Sequence, residues 1–220
     1  TLLALIRQPQ MRLISLWNPT LFTSLVDSLS ELASLLVEDL RAGTCRPPSP
    51  SGNPGPELPL WRAQPSDVSV ARFRLAMQYL QAADLPEFAR TLWPKMALLS
   101  SWSEAEAAEG AGYLRSFFPD AVFQTKGILA TEGPVTVPRV GAVAPVLATR
   151  SAFFEFETGE EGRGEILLAH ELQFGQRYRV IMTTAGGLYR YRLHDIVEMR
   201  GWWHNLPCLA FIGKEAFVSD

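Results

Sequence analysis

The sequence predicts a mixed α/β protein, with helices and a largely parallel sheet in its first half and an antiparallel, β-rich second half. In the first half, short apolar runs alternate with helical periodicity. In the second half, short strand-like runs recur roughly every 8–12 residues, which is typical of antiparallel sheets or barrels. A hydrophobic content of 47% is enough for a packed core. We therefore expect an α/β subdomain over 1–118 and a β-rich subdomain over 119–220.

The first half opens with a short apolar run at 11–17. Leucines then recur at three- and four-residue spacing from Leu21 to Leu40, which predicts one amphipathic helix with its stop at Gly43. The segment near 46–59 is rich in Pro, Ser and Gly, so we expect a mobile surface loop or linker there.

A second helix is predicted near 67–82, followed by another apolar run at 95–102. Ser103 precedes Glu106 by three residues, which is the signature of a capping box. It predicts a helix near 104–117. Alternating strands and helices of this kind indicate βαβ crossovers and a parallel sheet.

The second half begins with a predicted strand over 121–133, bent at Gly127. Further strand-like runs then follow one another, separated by turns: SAFFEFET, GEILLAHE, RYRVIMTT, GLYRYRL, IVEMRGWW and CLAFIG. Phe153, Phe154 and Phe156 fit a core better than a base-stacking platform.

Composition excludes several classes of protein. A net charge of −3 argues against a general nucleic-acid binder, because the arginines are scattered apart from Arg190 and Arg192. No stretch reaches the roughly 18 apolar residues that a membrane-spanning helix needs. Two cysteines, Cys45 and Cys208, make no disulfide framework, so we expect a reducing, cytoplasmic setting.

Several motif-based functions are also excluded. The sequence contains no Gly-x-Ser-x-Gly elbow, no Walker-type loop and no dinucleotide-binding Gly-x-Gly-x-x-Gly. Its three histidines lack the spacing of zinc ligands.

Ligands in open α/β sheets bind beyond the carboxyl ends of strands. Three such ends are predicted, at 17–18, 100–102 and 130–133. The third is the most informative, because Thr131 and Glu132 place a hydroxyl and a carboxylate beside a glycine. That pair suits a phosphate-bound Mg²⁺. The alternative is that both residues simply begin a turn.

The segment YRYRLHD, 189–195, offers a second candidate. Strand alternation separates its side chains into two sets: Tyr189, Tyr191 and Leu193 on one face, and Arg190, Arg192 and His194 on the other. Asp195 falls on the tyrosine side, where its carboxylate can accept two hydrogen bonds from a ribose diol. The alternative is a solvated face of arginines ending in a turn aspartate.

Several segments together carry a resemblance: LWNPTLFTSL, FFPDAVFQTKGILATEG, FFEFE, GQRYRVIMTTAGGLYRYRLHDIVEMRGWW and LPCLAFIGKEAFVSD. They resemble the Gretchen Hagen auxin-responsive family of acyl-acid amido synthetases, within the firefly-luciferase-like adenylate-forming superfamily. The resemblance is densest over 127–220. It implies that the chain is part of the large N-terminal domain of an adenylate-forming enzyme.

The function implied by this resemblance is an ATP-dependent ligase. A carboxylic acid would be activated as an acyl-adenylate with release of pyrophosphate, and an amino acid would then form the amide. The implied cofactors are ATP and Mg²⁺, and the partners are small molecules. We expect a monomer with no nucleic-acid or membrane partner. The fragment alone is expected to be inactive, because the family's phosphate loop would precede Thr1 and its mobile C-terminal domain would follow Asp220.

The resemblance also assigns residues. Thr131 would contact the α-phosphate region, and Glu132 would serve catalysis by helping to hold Mg²⁺. Asp195 matches the aspartate that binds the ribose hydroxyls. Lys214 stands where relatives usually have an arginine near the ribose and phosphate.

Three positions depart from the family pattern. Ile128 stands in place of an aromatic residue, His194 in place of a glycine, and Lys214 in place of an arginine. They support an alternative hypothesis: a non-catalytic relative that keeps the fold as a ligand-binding or interaction module.

Overall fold

The computed structural model describes residues 1–49, 53–58, 63–159 and 163–215. The chain divides into two compact units: Thr1–Ser101 with Glu109–Phe123, and Trp102–Ala108 with Gln124–Asp220. The boundary predicted between residues 118 and 119 stays a prediction, since compactness alone does not define a functional subdomain.

The helices are α1 (Leu2–Ile6), α2 (Thr20–Asp27), α3 (Leu29–Ala42), α4 (Asp67–Gln81), α5 (Leu85–Leu92) and α6 (Ala108–Phe117). A three-stranded sheet has the order β1 (Leu13–Ser15), β2 (Leu98–Ser101), β3 (Val122–Thr125), and β1 pairs with β2 in parallel. The helical and parallel character predicted for the first half is therefore confirmed. The predicted loop near 46–59 lies partly outside the described residues.

The leucine-rich segment forms two helices where the sequence predicts one. The break falls at Ser28, and α2 and α3 are bent by 71°. The Ser28 hydroxyl donates to the Ser24 carbonyl at 2.8 Å, a back-bond that tends to bend helices. Gly43 follows the end of α3, as expected.

No single helix in the described ranges has the length and apolar character to cross a membrane. Only α2 and α3 taken together, as a bent pair, meet that criterion.

The capping box predicted at Ser103 does not form. A short 3₁₀ turn over Ala105–Ala107 precedes α6, which begins only at Ala108. The Ser103 hydroxyl instead donates to the Thr125 hydroxyl at 2.7 Å. A tertiary partner has therefore taken the side chain that would have capped the helix.

Aromatic side chains from separate helices form the core of the first unit. Phe22 meets Phe117 edge to face at 5.4 Å between ring centroids, and Phe88 meets Phe117 at 6.0 Å. Trp93 lies against Phe22 and Phe88. Such pairs add stability beyond the area they bury.

The second unit is built on a seven-stranded sheet with the order β6-β7-β12-β11-β10-β8-β9. Its strands are β6 (Thr136–Val137), β7 (Val146–Leu147), β8 (Phe153–Glu157), β9 (Ile166–Leu168), β10 (Arg177–Thr183), β11 (Tyr191–Trp203) and β12 (Leu206–Lys214). Adjacent strands pair antiparallel, which confirms the prediction for the second half. The two runs predicted on either side of Asp195 form the single long strand β11.

The central strands of this sheet have two different faces. The core face carries apolar side chains that pack together: Phe154, Phe156, Val180, Met182, Leu193 and Val197. The charged face carries cross-strand ion pairs: Arg177–Glu198, Arg190–Glu155 and Arg192–Glu157. Phe153 is mostly exposed, so the prediction of a core role fails for that one phenylalanine.

Candidate functional site

Thr131 and Glu132 are the two turn residues of a hairpin. Strands β4 (Leu129–Ala130) and β5 (Gly133–Pro134) pair antiparallel, with Ala130 opposite Gly133. Gly133 has φ +153°, a conformation that other residues rarely adopt. The Thr131 side chain is exposed and Glu132 is half-buried. The two residues therefore do form a turn, as the alternative interpretation held. The Glu132 carboxylate is still partly accessible to solvent.

Ile128 anchors the hairpin and is buried, with 4% of its surface exposed. Its N–H donates to the Thr136 hydroxyl at 2.8 Å, and its carbonyl accepts from Val135. A Cβ at Gly127 would lie 2.1 Å from the Thr136 carbonyl oxygen, so this approach requires glycine. Ile128 therefore belongs to the core of the second unit.

Asp195 lies on β11 directly opposite Lys214 on β12. Only 3% of Asp195 is exposed, and the Lys214 ammonium lies 3.3 Å from its Oδ1 atom. Within the described part of the chain, Oδ1 is nevertheless buried without a hydrogen-bond partner. Burial raises the pKa of Asp195 above its ordinary value, and the Lys214 cation opposes that rise. The Oδ1 atom is therefore ion-paired with Lys214 without a well-aligned hydrogen bond.

An irregularity in β11 includes Asp195 itself. Between the pairs Arg179–Ile196 and Ile181–Arg192, β11 has three residues where β10 has one. His194 lies within this bulge at φ +58°. The left-handed conformation costs most residues about 1–2 kcal/mol, and histidine is among those that adopt it more readily. That geometry explains why glycine suits this position and how histidine can replace it.

Tyr191 connects the hairpin to this strand. The Glu132 carboxylate, as a hydrogen-bond acceptor and as a charge, raises the pKa of the Tyr191 phenol. The Glu132 charge also raises the pKa of Asp195. Glu132, Tyr191, Asp195 and Lys214 therefore form one group, which we call the site cluster. Thr131 occupies the turn beside it.

Sequence reasoning did not assign Tyr191 a role. The available signal was strand alternation, which placed Tyr191 on the same side as Asp195. The predicted strand also began too early. Thr184 donates to the Leu188 carbonyl at 2.9 Å, which closes a loop that leaves Tyr189 81% exposed. Strand β11 begins only at Tyr191.

The donor set of the site cluster fits a magnesium nucleotide. The described residues contain no group of three or more potential metal ligands from His, Cys, Asp and Glu. A single carboxylate at Glu132 suits Mg²⁺, which takes most of its ligands from phosphates and water. The Oδ1 atom of Asp195, which is ion-paired without a well-aligned hydrogen bond, suits a hydroxyl donor such as a ribose.

Part of the second unit matches a known protein family, and the chain has relatives among characterised proteins. Residues 145–214 match the model of the GH3 family central domain. Jasmonoyl–L-amino acid synthetase JAR6 of Nicotiana attenuata is 28% identical over 184 residues, covering 67% of this chain and 30% of the relative. The probable indole-3-acetic acid-amido synthetase GH3.12 of Oryza sativa subsp. japonica is 46% identical over 44 residues, covering 20% of this chain and 7% of the relative.

The fold has a counterpart among solved structures. The AtGH3.15 acyl acid amido synthetase in complex with 2,4-DB superimposes with a TM-score of 0.75 at 19% identity. That match covers 98% of this chain and 38% of the solved chain. The present chain thus spans less than half the length of these relatives. The family match, the relatives and the fold together confirm that this chain resembles the Gretchen Hagen, or GH3, family of acyl-acid amido synthetases.

Proposed function

We propose that a longer protein containing this chain is an ATP-dependent acyl-acid amido synthetase whose nucleotide binds at the site cluster. One observation carries the proposal. Glu132, Asp195 and Lys214 lie on three different strands or turns. The fold places the Lys214 ammonium 3.3 Å from Asp195 Oδ1 and brings the Glu132 charge near enough to act on the pKa of Asp195. Such convergence of carboxylates and a cation with a shifted pKa is characteristic of functional sites.

Each residue has a distinct role in this proposal. Asp195 accepts hydrogen bonds from the ribose hydroxyls, and Glu132 helps to hold Mg²⁺. Thr131 contacts the α-phosphate region from the exposed turn. Lys214, whose side chain is 69% exposed, swings from Asp195 to the phosphates and neutralises charge there. When bound, ATP supplies the leaving group that activates the carboxylic acid.

The relatives support the substrate class. Their names describe a jasmonoyl–L-amino acid synthetase and a probable indole-3-acetic acid-amido synthetase. For the protein containing this chain we propose a small carboxylic acid and an amino acid as substrates, ATP and Mg²⁺ as cofactors, and a cytoplasmic monomer as the working form.

A non-catalytic relative that keeps the fold is the second candidate, and one observation favours it. Asp195 is almost completely buried and paired with Lys214, so a ribose reaches it only if Lys214 moves. Lysine also lacks the planar guanidinium with which arginine holds a phosphate in two places. A protein that only binds a ligand would need neither ready access to Asp195 nor an arginine in place of Lys214.

Pyrophosphate release by the full-length protein distinguishes the two candidates. The assay screens a panel of carboxylic acids with Mg²⁺ and ATP, with and without amino acids. The ligase predicts release that depends on one class of acid, followed by an amide product. ATP binding without release for any acid supports the non-catalytic relative, and absence of both overturns the ligase.

A further inference from the structure

We propose that Glu104 is a positioning residue for Lys214: its carboxylate holds the bulge in β12 that sets Lys214 opposite Asp195. The consequence for nucleotide binding rests on the proposed function, whereas the effect on strand register does not. Glu104 lies far from Lys214 in the sequence, and neither the motifs nor the family resemblance gives it a role.

The pairing of β11 with β12 contains a bulge close to the site cluster. Ile196 lies opposite Gly213, whereas the next residue, Val197, lies opposite Phe211. Ile212 is therefore an extra residue on β12, and we call this feature the Ile212 bulge. A bulge of this kind shifts the register of everything beyond it by one residue, and such a shift exchanges the two faces of a strand.

The Ile212 bulge decides which residue Lys214 meets. Lys214 lies opposite Asp195, and a β12 without the bulge would set it opposite His194. The Glu215 N–H donates to the His194 carbonyl at 2.9 Å, so Asp195 and Lys214 form a non-hydrogen-bonded pair. Side chains approach most closely in such pairs. The distance of 3.3 Å between the Lys214 ammonium and Asp195 Oδ1 therefore depends on the bulge.

Glu104 binds the backbone directly beside the Ile212 bulge. Its Oε2 atom accepts a hydrogen bond from the Phe211 N–H at 2.8 Å. Two residues earlier on the same edge of β12, the Leu209 N–H donates to the Pro145 carbonyl at 2.8 Å, next to strand β7. The Glu104 carboxylate thus serves Phe211 as a neighbouring strand would, and it holds the bulged strand at the residue where the register changes.

The segment that carries Glu104 is anchored at neighbouring residues. The Trp102 ring meets the Phe211 ring at 5.3 Å between centroids, with 60° between the ring planes. The Ser103 hydroxyl donates to the Thr125 hydroxyl at 2.7 Å. Glu104 itself is half-buried, and a carboxylate that accepts a backbone N–H makes a strong, charge-assisted hydrogen bond. This segment can therefore act as a fixed support for the end of β12.

The first test measures strand register without any nucleotide. In the full-length protein, the pair Asp195→Cys and Lys214→Cys serves as a reporter, because a non-hydrogen-bonded pair has a Cα separation suited to a disulfide. Mass spectrometry of the digested protein identifies this bridge in the presence of Cys45 and Cys208. Adding Glu104→Leu, which has no acceptor, should slow bridge formation in oxidised glutathione by about fivefold, as the net effect of one hydrogen bond implies.

Two further variants show whether the hydrogen bond is the cause. Glu104→Gln keeps an acceptor oxygen and should form the bridge at nearly the rate of the parent. Glu104→Ala also lacks an acceptor, so it repeats the test with a smaller side chain and should be slow. Equal rates for Glu104→Gln and both variants without an acceptor would overturn the proposal.

Glu106→Leu is the matched control, since it removes an exposed carboxylate from the same short turn. It should leave the rate of bridge formation unchanged. An equal slowing by Glu106→Leu and Glu104→Leu would refute the positioning role, because a general disturbance of the turn would then explain both.

The second test connects Glu104 to the proposed nucleotide site. Calorimetry with ATP and Mg²⁺ compares Glu104→Leu, Lys214→Met and the double variant in the full-length protein. Lys214→Met should weaken ATP binding by about tenfold, the effect of losing one hydrogen bond from a charged group. Glu104→Leu should lose part of the same affinity, and the double variant should bind no more weakly than Lys214→Met. Additive losses would show that Glu104 does not act through Lys214.

The outcomes separate the two levels of inference. If the wild type binds no ATP and Glu104→Leu still slows the bridge, the proposed function fails and the role of Glu104 in strand register stands. If the wild type binds ATP and the bridge forms at one rate in every variant, the proposed function survives and the inference about Glu104 is overturned.

Discussion

At the residue scale, the proposed ribose-binding residue Asp195 has an energetic cost. Burial raises its pKa in the folded state, so the folded protein holds a proton over a pH range in which the unfolded chain has already released it. Stability therefore falls as pH rises from the unfolded pKa through the folded one. The cost is fully present above the folded pKa and absent below the unfolded pKa. The Lys214 ammonium, 3.3 Å from Oδ1, offsets part of this cost, and burial prevails.

This sign leads to a stability prediction for Asp195→Asn. At neutral pH the variant should be more stable than the wild type, by on the order of 1 kcal/mol, because it removes a buried charge and keeps the shape. The advantage should disappear as the pH falls below the unfolded pKa. Denaturant unfolding of the full-length protein across pH measures it. A variant that is less stable at neutral pH would mean that the Lys214 pair outweighs burial.

His194 yields a second residue-scale prediction. At φ +58°, His194→Gly should be more stable than His194→Ala by about 1 kcal/mol, because alanine keeps the Cβ that crowds the left-handed conformation. Both variants lack the imidazole, so their difference isolates the backbone. Equal unfolding midpoints for the two variants would show that the bulge relaxes to another conformation.

Single residues were predictable where a motif defined them. Glu132, Asp195 and Lys214 were named from short motifs. The structure pairs Asp195 with Lys214, and the nucleotide roles of all three residues stay predictions. Tyr191 could not be named, because its partner Glu132 comes from a distant hairpin. Strand alternation fixes the side to which a residue points and leaves open what it meets there.

At the element scale, the hairpin that carries Glu132 depends on Gly133. Gly133→Ala should destabilise the protein by about 1–3 kcal/mol, since φ +153° is strained for any residue with a Cβ. It should also weaken Mg²⁺-dependent ATP binding, because the turn shifts Glu132. Denaturant unfolding and calorimetry of the full-length protein measure the two effects.

Gly213→Ala is the control for this change. Gly213 lies on β12 next to Lys214, has open space around its Cβ position and no unusual φ. Its substitution should change stability by less than about 0.5 kcal/mol. Equal losses for both glycine variants would contradict the special role of the hairpin.

Elements marked by regularly spaced apolar residues or by local stop signals were predictable. Elements defined by tertiary contacts were not. The helix near 67–82 and the stop at Gly43 follow from local chemistry. The break at Ser28, by contrast, could not be predicted, because the leucine spacing continues through it and no glycine or proline marks it. Ser103 has the correct cap spacing, yet Thr125 takes its hydroxyl. A prediction from a local sequence pattern fails where the side chain binds a residue that is distant in the sequence.

At the scale of the whole molecule, the change from helical to alternating periodicity predicted the architecture correctly. A parallel sheet with helices and an antiparallel sheet are both present. The site cluster could not be predicted with the same certainty, because it requires the hairpin, the bulge at His194 and the pairing of β11 with β12 to hold together. Each of these depends on contacts between distant segments.

The central claim is that the second unit carries a nucleotide site at Asp195. The most direct measurement is the affinity of the full-length protein for ATP with Mg²⁺, wild type against Asp195→Ala, with unfolding curves to confirm that both are folded. We predict saturable binding by the wild type and a loss of about 10-fold or more in the variant, as removal of a buried hydrogen-bonding carboxylate implies. Equal affinity in two folded proteins would contradict the account.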